Sequence, residues 1–203
     1  LLGRLGGRND PLSKWGVRNQ VERWRRQGLV STERALGDTW VTPTRRGLDR
    51  AGLNLNTWAV PVTRVRHCHA VNIVRLWYEA TPHAEQSPWV SERLTYRERP
   101  KGASWHIPDG VVKDPRHSES SGGPARFIAL EVELTHKGRR AYDQEVFGNL
   151  RAGIESVSYF VANNAFADRL GSDIRAVLER QGSSTRFSIQ LLPEVPGVAY
   201  MAK

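Results

Sequence analysis

The chain has 203 residues, a length that allows one large domain or two small ones at roughly 100–200 residues each. Hydrophobic residues make up 39%, which excludes wholesale disorder, and no run of about 18 apolar residues occurs, which excludes a helical membrane span. Lys and Arg total 30 against 21 Asp and Glu, a net charge of +9 with a pI near 10.3, while the single cysteine, Cys68, excludes an internal disulfide framework and fits a reducing, cytoplasmic compartment.

The chain begins Leu1-Leu2-Gly3-Arg4, with no Met, no long apolar stretch and no cleavage site, and reads as a trimmed or internal start. Charge is uneven along it. Residues 1–58 carry 11 Arg and Lys against 5 Asp and Glu, whereas residues 59–203 carry 19 against 16. A basic excess concentrated in the first segment suggests a polyanion partner, most often nucleic acid. The alternative is an Arg-rich composition with merely solvated basic faces.

Asp10-Pro11 resembles a helix start, and a helix is expected over residues 12–27, closed by Gly28. Val17, Val21 and Trp24 share one of its faces, while Lys14, Arg18, Arg23, Arg25 and Arg26 lie elsewhere. Residues 29–31 read as a short strand, Gly37-Asp38 as a turn and residues 39–42 as a second strand. A helix over residues 43–53, opened by Thr42 and Pro43 and closed by Gly52, follows. Helix, strand, turn, strand, helix is the layout of a winged helix, and "WRRQGLV" and "WVTPTRRGLDRAG" resemble the second half of one. Its usual first helix would be missing or reduced to Leu1–Leu5. Trp15, Trp24 and Trp40 are expected in its core, with contact of Trp40 on the wing with a sugar-phosphate backbone as the alternative for that residue. The resemblance to winged-helix regulators implies that residues 12–27 are a recognition helix. Lys14, Arg18, Arg23, Arg25 and Arg26, with Arg45 and Arg46 of the next helix, would then contact DNA. A small basic domain that packs on a protein remains the alternative.

Residues 54–57 and Pro61 mark a boundary, which divides the chain into domains 1–58 and 64–203. In the second segment a helix is expected over 65–80, then strands over 88–96 and 105–112. A Pro- and Ser-Gly-rich loop over 113–125 leads to the strongest strand of the chain, residues 126–135. Helix 138–150, strand 156–161, helix 166–181 and strand 186–191 complete an α+β or α/β order.

Period-two alternation puts Phe127, Ala129, Glu131, Glu133 and Thr135 on one face of the strong strand, and Ile128, Leu130, Val132 and Leu134 on the other. Two carboxylates about 7 Å apart along an apolar element repel and need an offsetting cation. A hairpin would bring Asp109 alongside, and Lys137 keeps the same parity if the strand runs on. Three carboxylates and a lysine suit Mg²⁺-assisted phosphodiester hydrolysis, the ion polarising the phosphate and the lysine stabilising developing charge. The alternative is a set of solvated carboxylates paired with Arg126, Arg139 or Arg140.

Pro108-Asp109 followed by Glu131-Val132-Glu133 resembles the PD-(D/E)xK nuclease signature, and the αβββαβ order is similar to that fold. A winged helix followed by "WVSERL", "HIPDGVV" and "ALEVELTHKG" resembles the replication-relaxation proteins, a family associated with plasmid replication, mobilisation and DNA relaxation. The resemblance implies Asp109 and Glu131 as ligands of Mg²⁺, for which Mn²⁺ can substitute. Glu133 stands where the superfamily carries Lys, and Lys137 would supply that cation. Glu92 would be a further acidic member, and His106 would lie close behind. DNA is the implied partner, with a homodimer and other replication or mobilisation proteins compatible. The superfamily also contains inert folds, so a non-catalytic DNA-binding regulator that uses this domain for dimerisation or assembly is the competing reading.

Other signals point to little. His67-Cys68-His69 lies on a helix where neighbouring residues diverge, which disfavours zinc or a Cys-His pair. Tyr142 lacks the His cluster of a relaxase nucleophile. Neither a Walker motif nor a dinucleotide-binding glycine fingerprint is present.

Overall fold

The structure, a computed structural model, describes residues 13–35, 37–99, 106–114, 126–151, 153–154 and 156–194. It divides into two compact units, Leu1–Val65 and Arg66–Lys203.

In the first unit, helix α1 (Lys14–Arg26) starts one turn later than Asp10-Pro11 suggested, and those two residues and Leu1–Leu5 lie outside the described ones. Ser13 caps it, accepting the Gly16 N–H at 3.1 Å. Strands β1 (Val30–Ala35) and β2 (Asp38–Pro43) pair antiparallel from Val30↔Pro43 to Ala35↔Asp38. Helix α2 (Arg45–Arg50) is capped by Thr44 rather than by Thr42, and it is shorter than expected. Thr44 also donates to the Gly28 carbonyl at 2.6 Å, which ties α2 to the turn after α1. Leu48 is the buried anchor of α2. Trp24 and Trp40 are half-buried, but Trp15 is 76% exposed and is no core residue. Its position explains this: Val17, Val21 and Trp24 define the inward stripe, and Trp15 lies off it.

The second unit is a five-stranded sheet in the order β3-β4-β5-β6-β7. Helix α3 (Val65–Glu79) precedes β3 (Val90–Ser91), which pairs antiparallel with β4 (Gly110–Lys113). Strand β4 pairs antiparallel with β5 (Phe127–Glu133), whereas β6 (Ser156–Val161) and β7 (Arg186–Leu191) continue parallel. Helices α5 (Arg139–Arg151) and α6 (Asn164–Gln181) form the two parallel crossovers. Two cores cover the two faces. Ala70, Val74 and Tyr78 of α3 pack with Leu130 and Val132, and Tyr142, Val146, Leu170 and Ile174 of α5 and α6 pack with Ala129, Val157 and Tyr159.

One segment departs from expectation. Residues 92–98, which overlap the expected strand 88–96 over 92–96, form helix α4 (Glu92–Glu98). Ser91 is extended and precedes a Glu in the first helical turn, where the backbone dipole favours negative charge. The second expected strand keeps only its end, because Pro108 cannot donate to a ladder. Trp105 and residues 115–125 lie outside the described residues. Among the described residues, no helix is long and apolar enough to cross a membrane.

Candidate functional site

The basic candidates sit in the first unit. Arg18, Arg23, Arg25 and Arg26 are exposed on α1, and Arg45 and Arg46 are exposed on α2; the side chain of Lys14 lies outside the described part. Glu22 engages two of them. Arg25 donates to its carboxylate at 2.8 and 2.9 Å, and Arg26 at 3.2 Å. These hydrogen bonds hold the Glu22 carboxyl down at about 2. Arg45 bridges Asp49 and the Leu55 carbonyl, the latter at 2.9 Å.

The acidic candidates meet in the second unit at the end of β5. Strand β5 is buried continuously from Ala129 to Glu133; Ala129 packs with residues of α5 and α6, and the period of two puts Glu131 and Glu133 on that same face. Glu131 and Glu133 are nonetheless buried carboxylates, 2% and 1% exposed. Such groups persist only when paired. His106 Nε2 lies 2.7 Å from Glu131 Oε1. Lys137 Nζ donates to Glu133 Oε1 at 2.5 Å and lies 3.4 Å from Glu145 Oε2.

Strand β5 ends at Glu133, so Lys137 reaches the site from the following turn. That turn is pinned. His136 and Arg139 both bond Asp173 of α6, at 2.6 and 2.7 Å. The Lys137 N–H donates to the Tyr142 hydroxyl at 3.2 Å. Gly138 takes a φ of 83°, a left-handed conformation that favours glycine.

Asp109 is antiparallel neighbour to the acidic strand, just before Gly110, which pairs with Leu130. Its Oδ2 accepts the Val132 N–H at 2.9 Å, and its Oδ1 lies 2.8 Å from His67 Nε2. Glu92 opens α4, and its N–H donates to the Asp109 carbonyl at 3.3 Å.

Two members were not legible as site residues. Glu145 comes from α5, and His67 from the start of α3. The signal for Glu145 was available: Tyr142, Glu145, Val146 and Asn149 share one helical face, and all are buried. An acid within an apolar stripe needs a partner. His106, Glu131 and Glu145 offer ligating atoms within 4.8 Å of one another, a spacing that can hold a metal ion.

Electrostatics follow from this crowding. Burial, with the charge of Glu145 adding to it, pushes the Glu131 carboxyl upward. Burial also raises Glu133 to about 7, against the opposing pull of Lys137. Burial disfavours the imidazolium of His106, but Glu131 and Glu145 outweigh it and move the group upward.

Gly148 sets how closely α5 approaches His106. A Cβ there would stand 2.6 Å from the His106 backbone nitrogen and 2.8 Å from its Cβ. Gly→Ala inside a helix ordinarily stabilises by about 1 kcal/mol. Gly148→Ala is expected instead to destabilise by about 1–3 kcal/mol through overpacking. It should also shift the His106 ring resonance, so a thermal melt and an imidazole NMR spectrum check the result.

Comparison with protein-family models, with curated proteins and with solved structures returns no match.

Proposed function

We propose that the chain is a DNA-binding protein of the plasmid or mobile-element replication and mobilisation type. In this reading the first unit is a winged helix that binds DNA. The second is a PD-(D/E)xK nuclease-like domain that hydrolyses phosphodiester bonds with a divalent cation. The observation that carries it is the convergence of Glu131, Glu133, Glu145, His106 and Lys137 at the end of one strand, beside Asp109.

The residues fit a divalent cation. Glu145 Oε1 and the neighbouring Tyr159 hydroxyl are buried without a hydrogen bond of regular geometry, and both amide atoms of Asn149 are buried without a partner, whereas buried polar atoms ordinarily have one. Under the superfamily pattern Asp109 and Glu131 would hold Mg²⁺, with Mn²⁺ as a substitute. The ion supplies Lewis acidity toward the scissile phosphate. Lys137, fixed by Glu133, offers positive charge for the phosphate as its charge develops. His67 and the Val132 N–H orient the Asp109 carboxylate. On the first unit, Arg18, Arg23 and Arg26 contribute phosphate contacts, and Glu22 holds Arg25 and Arg26 in the free protein.

One observation favours the non-catalytic alternative. Both oxygens of Asp109 are already engaged, and Glu133 occupies the position of the superfamily lysine. In that reading the second unit serves dimerisation or assembly of a DNA-binding regulator.

The test is a plasmid assay with Mg²⁺ or Mn²⁺, comparing wild type with Asp109→Ala and Glu131→Ala. Nicking by wild type alone is expected, and equal nicking by all three removes the catalytic reading. Binding is measured separately against salt. Phosphate contacts give a slope near −0.9 per contact on B-DNA, so replacing Arg18, Arg23 and Arg26 with Ala should flatten it by roughly 2–3. An unchanged slope contradicts the assignment of α1.

A further inference from the structure

We propose that the divalent cation of the second unit is held by His106, Glu131 and Glu145, and that its imidazole ligand selects a first-row transition ion over Mg²⁺. The proposal rests on the reading above for the presence of a divalent cation; it keeps Glu131, replaces Asp109 with His106 and Glu145 as ligands, and replaces Mg²⁺ with a transition ion.

Position is the first argument. The three side chains place ligating atoms within 4.8 Å of one another, from the approach to β4, from β5 and from α5. Two donors bound at right angles to one ion, at about 2.1 Å each, stand about 3 Å apart. His106 Nε2 and Glu131 Oε1, at 2.7 Å, need to open by only a few tenths of an ångström to share an ion. Asp109 is the weaker candidate, because the Val132 N–H and His67 already take its oxygens.

Unsatisfied polar atoms are the second argument. Glu145 turns one oxygen toward Lys137 and keeps Oε1 buried without a partner. Tyr159 pairs with Glu131 across β5 and β6, so its side chain is on the same face. Its hydroxyl is buried beside Glu145 without a hydrogen bond of regular geometry, and the residue is 0% exposed. A phenol in that place offers a hydrogen bond to the hydration shell of an ion between Glu131 and Glu145. Asn149, one turn after Glu145 on the same face of α5, also leaves both amide atoms buried and unpartnered. An acidic centre that leaves Glu145 Oε1 and both Asn149 amide atoms unsatisfied is completed by a cation with its water.

Ligand chemistry decides which cation. Mg²⁺ prefers an octahedral set of oxygens and dehydrates reluctantly. An imidazole with two carboxylates, two of the three nearly closed to solvent, favours the transition series, whose affinity rises from Mn²⁺ onward.

The full chain is titrated with Mn²⁺ and examined by pulsed EPR, with Mg²⁺ as competitor. One Mn²⁺ per chain is expected, with nitrogen coupling from a bound imidazole and with resistance to a tenfold excess of Mg²⁺. His106→Ala should remove the coupling and the preference, and Glu145→Gln should weaken Mn²⁺ binding at least about tenfold. The wild-type spectrum needs no variant to fold. Bound Mn²⁺ without nitrogen coupling, displacement by equimolar Mg²⁺, or no stoichiometric binding overturns the proposal. Nicking supported by Mg²⁺ together with a coupling-free Mn²⁺ spectrum overturns the ligand assignment and leaves DNA cleavage standing. Coupled Mn²⁺ without nicking supports the ligand assignment and removes DNA cleavage.

Discussion

Lys137→Met is expected to destabilise the metal-free protein by about 2–3 kcal/mol at pH 8. The ammonium contacts Glu133 and Glu145, and both carboxylates are almost closed to solvent. Removing one partner of a buried pair typically costs about 3–5 kcal/mol, because the remaining charge stays buried and uncompensated. The lower figure applies here because the Lys137 side chain is 40% exposed and water screens part of the interaction. Methionine keeps the aliphatic stem, so packing changes little. Chemical denaturation at pH 8 checks the size of the loss. The same variant at pH 5 should lose less, because Glu133, already raised to about 7, then carries a proton and no longer needs the ammonium.

The second expected result is a fall in stability of the metal-free wild type between pH 5 and pH 8. A carboxyl whose pKa is higher folded than unfolded holds its proton more tightly in the native state. The stabilisation is complete below the ordinary value of 4.5 and is lost as pH rises through the folded value, about 7 for Glu133. Glu131 shifts in the same direction, from burial and from the charge of Glu145. His106 also shifts upward, so its ion pair with Glu131 is lost on the alkaline side too. Asp173 runs the other way: Arg139 and His136 lower its pKa, so its contribution disappears only under acid conditions below its ordinary 3.8. A net loss of roughly 2 kcal/mol corresponds to about 4–8 °C in melting temperature for a chain of this size. Melts in a chelator from pH 5 to pH 8 measure it. A divalent cation should reverse the trend at pH 8, because it offsets the carboxylates that pH alone leaves charged. A flat or rising profile contradicts the buried, charged state of this centre.

Much of the second unit was legible because its strands obey strong local rules. The alternation from Phe127 to Glu133 placed the acids on one face and the aliphatics on the other, β6 ends in an apolar run from Tyr159 to Val161, and β7 alternates polar and apolar residues from Arg186 to Leu191. Asp109 was legible through Pro108 and the hairpin it begins. Residues 92–98 were not, since Arg93, Leu94, Thr95 and Tyr96 alternate well enough to pass for a strand. Helix-start chemistry at Ser91 and Glu92 decides the outcome. Trp15 was misplaced because aromatic character was weighed above helical phase. The partners of Glu145 and of His67 were hidden for a different reason. Their roles arise from contacts between distant segments, which no local period encodes. Parity on an extended strand put Lys137 beside Glu133, whereas it reaches Glu133 from a pinned turn after the strand has ended.

The most direct measurement is nicking of covalently closed plasmid by wild type and Glu131→Gln at pH 8 in Mn²⁺, with parallel samples in EDTA. Glutamine keeps the shape and an oxygen facing His106, so both proteins should melt within about 1 kcal/mol of each other in chelator. Wild type should nick only with the metal, and Glu131→Gln should be slower by at least about 10³-fold, as expected when a group that stabilises the transition state is removed. Nicking that persists in EDTA, or that proceeds equally well in Glu131→Gln, would contradict a catalytic metal centre at the end of β5.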